Sequence, residues 1–427
     1  MPQRLTDQPA NPPTHQSTPG KVLPAPHGRQ PMEPVSGRVR RRRELGTGTR
    51  TPDGRPANLY NAGILAADTN RPNLFASSPP VAQPPPRALS GWRARLASDP
   101  IPRLLREGTP SVLARVRRDL IDDSEAPSAD EIAKYPEVKA LLRRMEDDGS
   151  FAPKAAEKAL GGPKFSRCLA TIRALDRLAD LGMRLEPDSK VAHHLSEAAE
   201  FILASQEPGG GIGDLVLGES PKSRGKVVAL HYHGWALAAL CRSGFEGDAR
   251  VEKGFRFLLS LRQDDGGWAW RGVRTDSAAR PSSHLVTGMV LRAFASAKER
   301  RGSREARRAA ELLATRFLQP DRYEDRKAPS HWEALSEPRF FTDALDALDT
   351  ITSIGLGKEN SGVRTAEAYL RSRQCVDGLW YPGMPVKGES ALSRSPAKPS
   401  IKSKDAKDVA EAIGLTLRVL VVLRKIN

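Results

Sequence analysis

The sequence predicts an all-α protein built from repeated helical hairpins and preceded by a disordered tail. Three observations support this prediction. Proline and arginine dominate residues 1–94. After that point apolar residues recur at helical spacing, and a glycine-containing turn returns at intervals near 57 residues, which suits a pair of helices per repeat. The chain has 427 residues, so we predict a tail over residues 1–94 and one large helical domain over residues 95–427.

The tail is predicted from its composition. Residues 1–98 hold 17 of the 35 prolines, and their 14 basic against 5 acidic residues give a net charge of +9. Because the tail has few apolar residues, it cannot bury enough surface to offset the entropy lost on ordering. We therefore expect the tail to be disordered. The run Arg40–Arg43 predicts weak, non-specific contact with polyanions, because no aromatic residue stands among these arginines to stack on bases.

The sequence shows no targeting segment and no metal motif. No apolar segment follows the N-terminal methionine, and no run of about twenty apolar residues predicts a membrane span. The cysteines Cys168, Cys241 and Cys375 lie far apart, without the spacing of a metal knuckle or a disulfide framework. We therefore expect a reduced, cytoplasmic compartment and no cofactor.

The clearest repeat covers residues 251–268. Apolar residues spaced by four, three and one position form one helical face between Val251 and Leu259. Gln263 follows this helix, Gly267 lies in the turn, and Trp268 comes directly after it. The repeat therefore consists of a helix, a glycine turn and an apolar residue, in that order.

Three other segments share this order, at residues 138–151, 198–212 and 366–380. Their comparable glycines lie 61, 57 and 111 residues apart: Gly149, Gly210, Gly267 and Gly378. A degenerate copy at residues 306–323 divides the last interval. More apolar partner helices are predicted near Cys168, Trp235, Val286, Leu345 and Val409. The period alone does not decide whether such hairpins stack openly or form a ring.

Two of these copies resemble the glutamine–tryptophan repeat of squalene–hopene cyclases. The residues that carry the resemblance are Gln263, Gly267, Trp268, Gln374, Gly378 and Trp380. Related motifs occur in protein prenyltransferase β subunits and complement thioester domains, all of which are α/α toroids. The resemblance covers residues 95–427 and implies a toroid of about five to six hairpins. It also implies structural roles, with glutamine bonded to a helix end and tryptophan packed on the next repeat.

Prokaryotic prenyltransferase-like proteins with a single toroid resemble the chain further, at residues 99–108 and 332–345. The Asp-x-Asp-Asp motif with which squalene-type cyclases protonate an alkene does not occur. A prenyltransferase β subunit would bind zinc at the starts of its inner helices. His231, His233 and His284 stand at the equivalent positions, but the expected Asp-x-Cys is absent. Zinc at these histidines is the alternative to histidines that cap helices or bond in loops.

The starts of the inner helices are where side chains from different repeats are expected to converge. The predicted pocket residues are His231, Tyr232, His233, Trp235, His284, Trp332, Phe341 and Asp343. Asp343 is equally a helix N-terminal charge favoured by the helix dipole. We expect a module that binds an apolar or isoprenoid-like molecule or a protein partner in the ring. The alternatives are a prenyltransferase- or terpene-cyclase-like enzyme, with or without zinc, and a protein–protein adaptor. No catalytic residue is assigned.

Overall fold

The computed structural model describes residues 91–122, 127–186, 188–220, 225–269, 281–321, 332–335, 342–383 and 406–426. All of them belong to one compact unit, residues 58–427. The predicted tail, residues 1–94, lies outside these ranges apart from its last four residues. Those four begin the 3-10 helix Gly91–Arg95, so the first described element starts slightly before the predicted boundary.

Fifteen α-helices make up most of the described ranges. Six are inner helices: α2 (Pro110–Leu120), α6 (Pro163–Asp180), α8 (Leu230–Arg242), α10 (His284–Ser296), α13 (Ala344–Ser353) and α15 (Ala406–Ile426). Six are outer helices: α1 (Ile101–Glu107), α4 (Pro136–Leu142), α7 (Ala192–Leu203), α9 (Ala249–Ser260), α12 (Arg304–Ala314) and α14 (Ser361–Ser372). The connecting elements are α3 (Ala129–Ile132), α5 (Ala155–Lys158), α11 (Lys298–Arg301), the 3-10 helix Gly213–Leu215 and the antiparallel strands β1 (Val216–Ser220) and β2 (Gly225–Val228).

Inner and outer helices differ in how they are buried. Every residue of α8 and α10 except the last is buried, whereas α9 buries one face through Val251, Phe255 and Leu258. A helix that is apolar all round belongs inside a domain, and an amphipathic helix covers it. Gly234 lets α8 and α10 approach closely, because a Cβ there would lie 2.6 Å from the Cα of Val290. The predicted alternation of inner and outer helices is confirmed.

The inner helices form a closed ring. Neighbours pack against one another in the order α6, α8, α10, α13, α15 and α2. Between α15 and α2, Arg424 donates to the carbonyl of Asp119 at 2.8 Å. Between α2 and α6, Arg115 donates to the carbonyl of Asp180 at 3.5 Å. Six hairpins therefore build an α/α toroid, as predicted. No helix in the described ranges combines the length and the apolar character that crossing a bilayer requires.

The repeated turn lies after an outer helix. In four copies a glycine adopts a left-handed φ between 80° and 99°, a conformation that residues with a Cβ disfavour: Gly149, Gly210, Gly266 and Gly378. In the third copy the sequence predicted a positive φ at Gly266 and Gly267; Gly266 adopts it, one residue before the Gly267 from which the spacing was counted. The amide of Gly266 donates to the carbonyl of Gln263 as the amide of Gly378 donates to that of Cys375. Because Gly266 and Gly267 are adjacent, the spacing alone did not show which of them aligns with the left-handed glycines of the other copies.

The tryptophan after the turn is fully buried and ties the outer helix to the next inner helix. The indole Nε1 of Trp268 donates to the carbonyl of Leu258 at 2.7 Å, and that of Trp380 to Leu370 at 2.6 Å. Three copies share a second bond, in which the backbone amide after the turn donates to a threonine hydroxyl of the inner helix. The pairs are Phe151 with Thr171, Trp268 with Thr287, and Trp380 with Thr416.

The bridging glutamine stands four residues before the left-handed glycine. Gln206 donates to the carbonyls of Gly210 at 3.1 Å and Arg250 at 2.8 Å, so it joins α7 to the start of α9. In the third copy this position is Arg262. Gln263, the glutamine of the predicted motif, lies one residue later. Its side-chain Nε2 donates to the carbonyl of Leu261 at 3.2 Å and does not bridge to α12.

Gln374 makes the same bridge where the outer ring closes. Its Nε2 donates to the carbonyls of Gly378 at 2.9 Å and Ser98 at 2.7 Å. Its Oε1 accepts from the amide of Ala97 at 2.8 Å. One side chain therefore links the end of α14 to the segment before α1.

Candidate functional site

The predicted pocket residues that the structure describes are packed in the core. His231, Tyr232, His233, Trp235, His284, Trp332 and Asp343 are all buried, with relative exposures of 5% or less. None of them lines either of the two cavities described below. Phe341 lies outside the described residues, and a pocket at the starts of the inner helices stays a prediction.

His233 takes the place of the repeated threonine. Its Nε2 accepts the backbone amide of Ile212 at 3.0 Å, so its Nδ1 carries the proton and donates to the carbonyl of Ala229 at 3.0 Å. Burial lowers the pKa of His233 to about 4, which keeps the ring neutral at physiological pH. Binding a metal would require one of these two bonds to break.

His284 belongs to a small buried polar cluster. The Oγ of Ser283 donates to Oδ2 of Asp321 at 2.8 Å, and Nε2 of His284 lies 3.4 Å from the same oxygen. The carboxylate therefore stands between the hydroxyl and the imidazole, whereas activation of a serine nucleophile needs the imidazole in the middle. In the described part of the chain, no group of three or more His, Cys, Asp or Glu side chains is arranged to hold a metal ion.

The other predicted residues have structural contacts. Trp235 donates from Nε1 to Oδ2 of Asp176 at 2.8 Å. The ring of Trp332 lies 4.6 Å from that of His284, measured between centroids. Asp343 is the N-cap of α13, because its Oδ1 accepts the amide of Asp346 at 2.8 Å.

The opposite ends of the inner helices surround an open cavity of about 250 Å³. We call its six basic side chains and their surroundings the basic mouth. The lining residues are Arg115, Arg118, Asp119, Ala179, Asp180, Arg184, Arg242, Asp349, Arg418, Val421, Val422 and Lys425. They come from the C-terminal halves of α2, α6, α8, α13 and α15 and from the loop after α6. A second cavity, of about 300 Å³, lies between α2 and the segment 127–135 and has one basic and one acidic residue.

Most positive charges in the basic mouth have a carboxylate partner. Arg118 donates to Asp119 at 2.6 Å, and Lys425 donates to Asp349 at 2.6 Å. Arg242 pairs with Asp180. Burial alone would raise the pKa of Asp119, but hydrogen bonds and charge from Arg118 and Arg115 lower it below its usual range. The pairs Lys425–Asp349 and Arg242–Asp180 join neighbouring inner helices, whereas Arg118 and Asp119 both belong to α2.

Arg184 is the exception in the basic mouth. It is exposed, and within the described ranges its side chain makes no hydrogen bond or ion pair. Desolvation lowers the pKa of Arg184, the like charges of Arg118 and Arg242 lower it further, and the carboxylate of Asp119 partly opposes them. The backbone turn at Gly182 already satisfies the end of α6, since the Met183 amide donates to Leu178 at 2.9 Å. Arg184 is therefore not needed as a helix cap.

Comparisons with known proteins add little to this picture. No protein-family model matches the chain, and no curated protein sequence matches it. Among solved structures, a protein from Actinoplanes is 16% identical, with 67% of this chain and 96% of that chain covered and a TM-score of 0.26. The apo form of the type II terpene cyclase MstE from Scytonema is 14% identical, with 69% and 97% covered and a TM-score of 0.28. A point variant of MstE in complex with the product merosterolic acid A is 15% identical, with 70% and 95% covered and the same TM-score.

The basic mouth was not predicted from the sequence. Its residues are single arginines and lysines near the C-terminal ends of inner helices, where the helix dipole favours positive charge in any protein. Only the ring places five of these ends around one cavity. The available signal was a basic residue in the last turn of four of the six inner helices, α2, α6, α8 and α15, as at Arg242 and Lys425.

Proposed function

We propose that this protein is a binding module that holds the anionic end of an apolar, isoprenoid-like molecule in the basic mouth. The observation that carries this proposal is Arg184, a cavity-lining guanidinium that makes no hydrogen bond or ion pair within the described chain and lies near Arg118 and Arg242. An incoming carboxylate or phosphate would relieve the repulsion among these three groups. A guanidinium offers paired donors that match both anions.

The cavity has room for the head of such a ligand. Its volume of about 250 Å³ corresponds to roughly eight water molecules in the liquid. That is enough for a carboxylate or a phosphate group with a few carbon atoms. Ala179, Val421 and Val422 supply the apolar part of the lining, against which the first carbon atoms of the chain would lie. The remaining carbon chain would extend beyond this cavity.

The described residues favour binding over catalysis. Both ring nitrogens of His233 are bonded to the backbone, and the Ser283, Asp321 and His284 cluster lacks the order needed for a nucleophile. We therefore assign no reaction to the basic mouth. The arginines are assigned only to recognition of charge.

The test compares three ligands with one carbon chain and different heads: geranylgeranyl diphosphate, geranylgeranoic acid and geranylgeraniol. Calorimetric titration of the full chain is expected to show that both anionic molecules bind at least about tenfold more tightly than the alcohol, because one charged hydrogen bond contributes about 1.5 to 3 kcal/mol. The difference should shrink as salt is added.

Arg184→Gln is the informative variant, and Arg256→Gln is its matched control. Arg256 lies on the outer helix α9 with 66% of its side chain exposed, so both variants remove one exposed positive charge. Arg184→Gln is expected to weaken binding of the anionic ligands about tenfold, and Arg256→Gln is expected to leave it unchanged. Equal affinity for the alcohol and the acid, or an unaffected Arg184→Gln variant, would show that the mouth does not recognise the anion.

A further inference from the structure

Arg292 is a positively charged side chain in the interior of the toroid. It lies on α10, is 2% exposed and lines neither the basic mouth nor the second cavity. Its Nη2 donates to Oδ2 of Asp346 on the neighbouring helix α13. The other two guanidinium nitrogens, Nε and Nη1, are shielded from solvent, and no group in the described ranges accepts a hydrogen bond from either of them. Most N–H donors of this side chain are therefore buried without an acceptor.

A second buried guanidinium reaches the same carboxylate from the other side of α13. Arg418 of α15 is 4% exposed, and its Nη2 lies 3.8 Å from Oδ1 of Asp346. The other carboxylates of α13 have contacts elsewhere, because Asp343 caps the helix and Asp349 accepts from Lys425. The carboxylate of Asp346 is therefore shared between two buried guanidinium groups, one from each helix that flanks α13.

The shape of a guanidinium leaves one edge of Arg292 for a second acceptor. Each guanidinium has two edges of paired, parallel N–H donors, one formed by Nε and Nη2 and the other by Nη1 and Nη2. Because Oδ2 of Asp346 accepts from Nη2, it occupies one of these edges. The other edge directs two N–H groups at one point, where a single acceptor would bind both.

An anion fits this edge better than a water molecule does. Burying a charged donor without an acceptor costs more free energy than burying a neutral one, and a buried ion or water usually explains such a group. A water molecule would bring no charge and would need acceptors for its own hydrogens. The carbonyls of Arg292 and Asp346 already accept from the hydroxyls of Ser296 and Thr350. An anion needs no acceptor, and it adds a second negative charge beside the two guanidinium groups.

We propose that a chloride ion binds at the free edge of Arg292, between α10, α13 and α15. The ion is monatomic because the nitrogens that bind it are shielded from solvent. Two guanidinium groups, one carboxylate and one chloride ion are neutral together. A ligand head in the basic mouth would meet Arg418, which lines that cavity, but would not meet Arg292. The chloride site is therefore separate from the proposed ligand site, and its role is to join three inner helices.

The direct test replaces chloride by bromide, which scatters X-rays anomalously. Crystals of the full chain grown in sodium bromide are expected to show an anomalous peak within hydrogen-bonding distance of Arg292. A peak there supports the chloride site. Density without an anomalous signal at this position would identify a water molecule and would overturn the proposal.

The second test measures thermal unfolding of the full chain while chloride replaces gluconate at constant ionic strength. Binding to the folded state alone should raise the melting temperature by at least about 3 °C, with saturation. Arg292→Met keeps a long apolar side chain, and a buried ion pair is often replaced by apolar residues without loss of folding. This variant should lose the chloride response and the bromide peak.

Arg256→Gln controls for the loss of one positive charge at an exposed site and should keep the whole chloride response. An equal response in Arg292→Met and in the unchanged protein would contradict the proposal. If Arg292→Met does not fold, the bromide peak in the unchanged protein decides. None of these results depends on whether a ligand binds in the basic mouth, because no ligand is added in either test.

Discussion

Replacing Gln374 by alanine tests whether the bridging glutamine holds the toroid closed. The side chain makes three hydrogen bonds, to the amide of Ala97 and to the carbonyls of Ser98 and Gly378. At about 1 kcal/mol for each bond, the variant should lose about 3 kcal/mol of unfolding free energy. The measurement is urea unfolding followed by circular dichroism.

Gln263→Ala is the matched control for this experiment. Both glutamines are 6% exposed, so the burial lost on truncation is similar in the two variants. Gln263 donates one hydrogen bond, to the carbonyl of Leu261, and its loss should cost about 1 kcal/mol. The expected difference between the variants is therefore about 2 kcal/mol. Equal destabilisation by the two substitutions would refute the assignment of Gln374, and not Gln263, as the bridge.

Three other predictions concern the repeat. Trp380→Phe keeps most of the ring packing but leaves the carbonyl of Leu370 without its donor, so unfolding free energy should fall by about 1 to 3 kcal/mol in urea; an unchanged value would contradict this role. His233→Thr supplies the hydroxyl of the other copies and should be tolerated, whereas His233→Leu leaves the Ile212 amide unsatisfied and should cost about 1 to 3 kcal/mol more. The third prediction is a pH dependence. Because the pKa of His233 is about 4 when folded and about 6.5 when unfolded, only the unfolded chain gains a proton between these values, so stability should fall by about 2 kcal/mol from pH 7 to pH 5. His233→Thr should abolish that part of the fall, and an equal fall in the variant would show that another group causes it.

The hairpin repeat could be predicted because its signals are local. A helical face, a left-handed glycine and a buried tryptophan lie within about eighteen residues of one another in the copy ending at Trp268. Ring closure was not local, since the bond between Gln374 and Ala97 joins residues 277 positions apart. It was predicted from resemblance to toroid families.

The candidate site was harder to predict than the fold. The inner helices have two opposite ends, and the sequence alone does not show at which end large side chains fill the space. The histidines at the helix starts suggested a pocket, but His233 accepts a backbone amide that lies 21 residues earlier. Only the structure shows that His233 accepts the amide after the turn, as Thr171 and Thr287 do in two other copies. The basic mouth depends on five helix ends meeting in space.

The bond between Gln374 and Ala97 also sets the order of events during folding. Hairpins made from neighbouring segments can form as soon as they leave the ribosome, because their contacts are local. The outer ring cannot close until residue 374 has been synthesised. Until then the segment before α1 lacks the Gln374 side chain to which it bonds. Bringing together residues 277 positions apart costs about 5 kcal/mol of chain entropy beyond the closure of a minimal loop. We expect closure to be the slow, late step, with an open arc of hairpins as the state most exposed to aggregation and to chaperones.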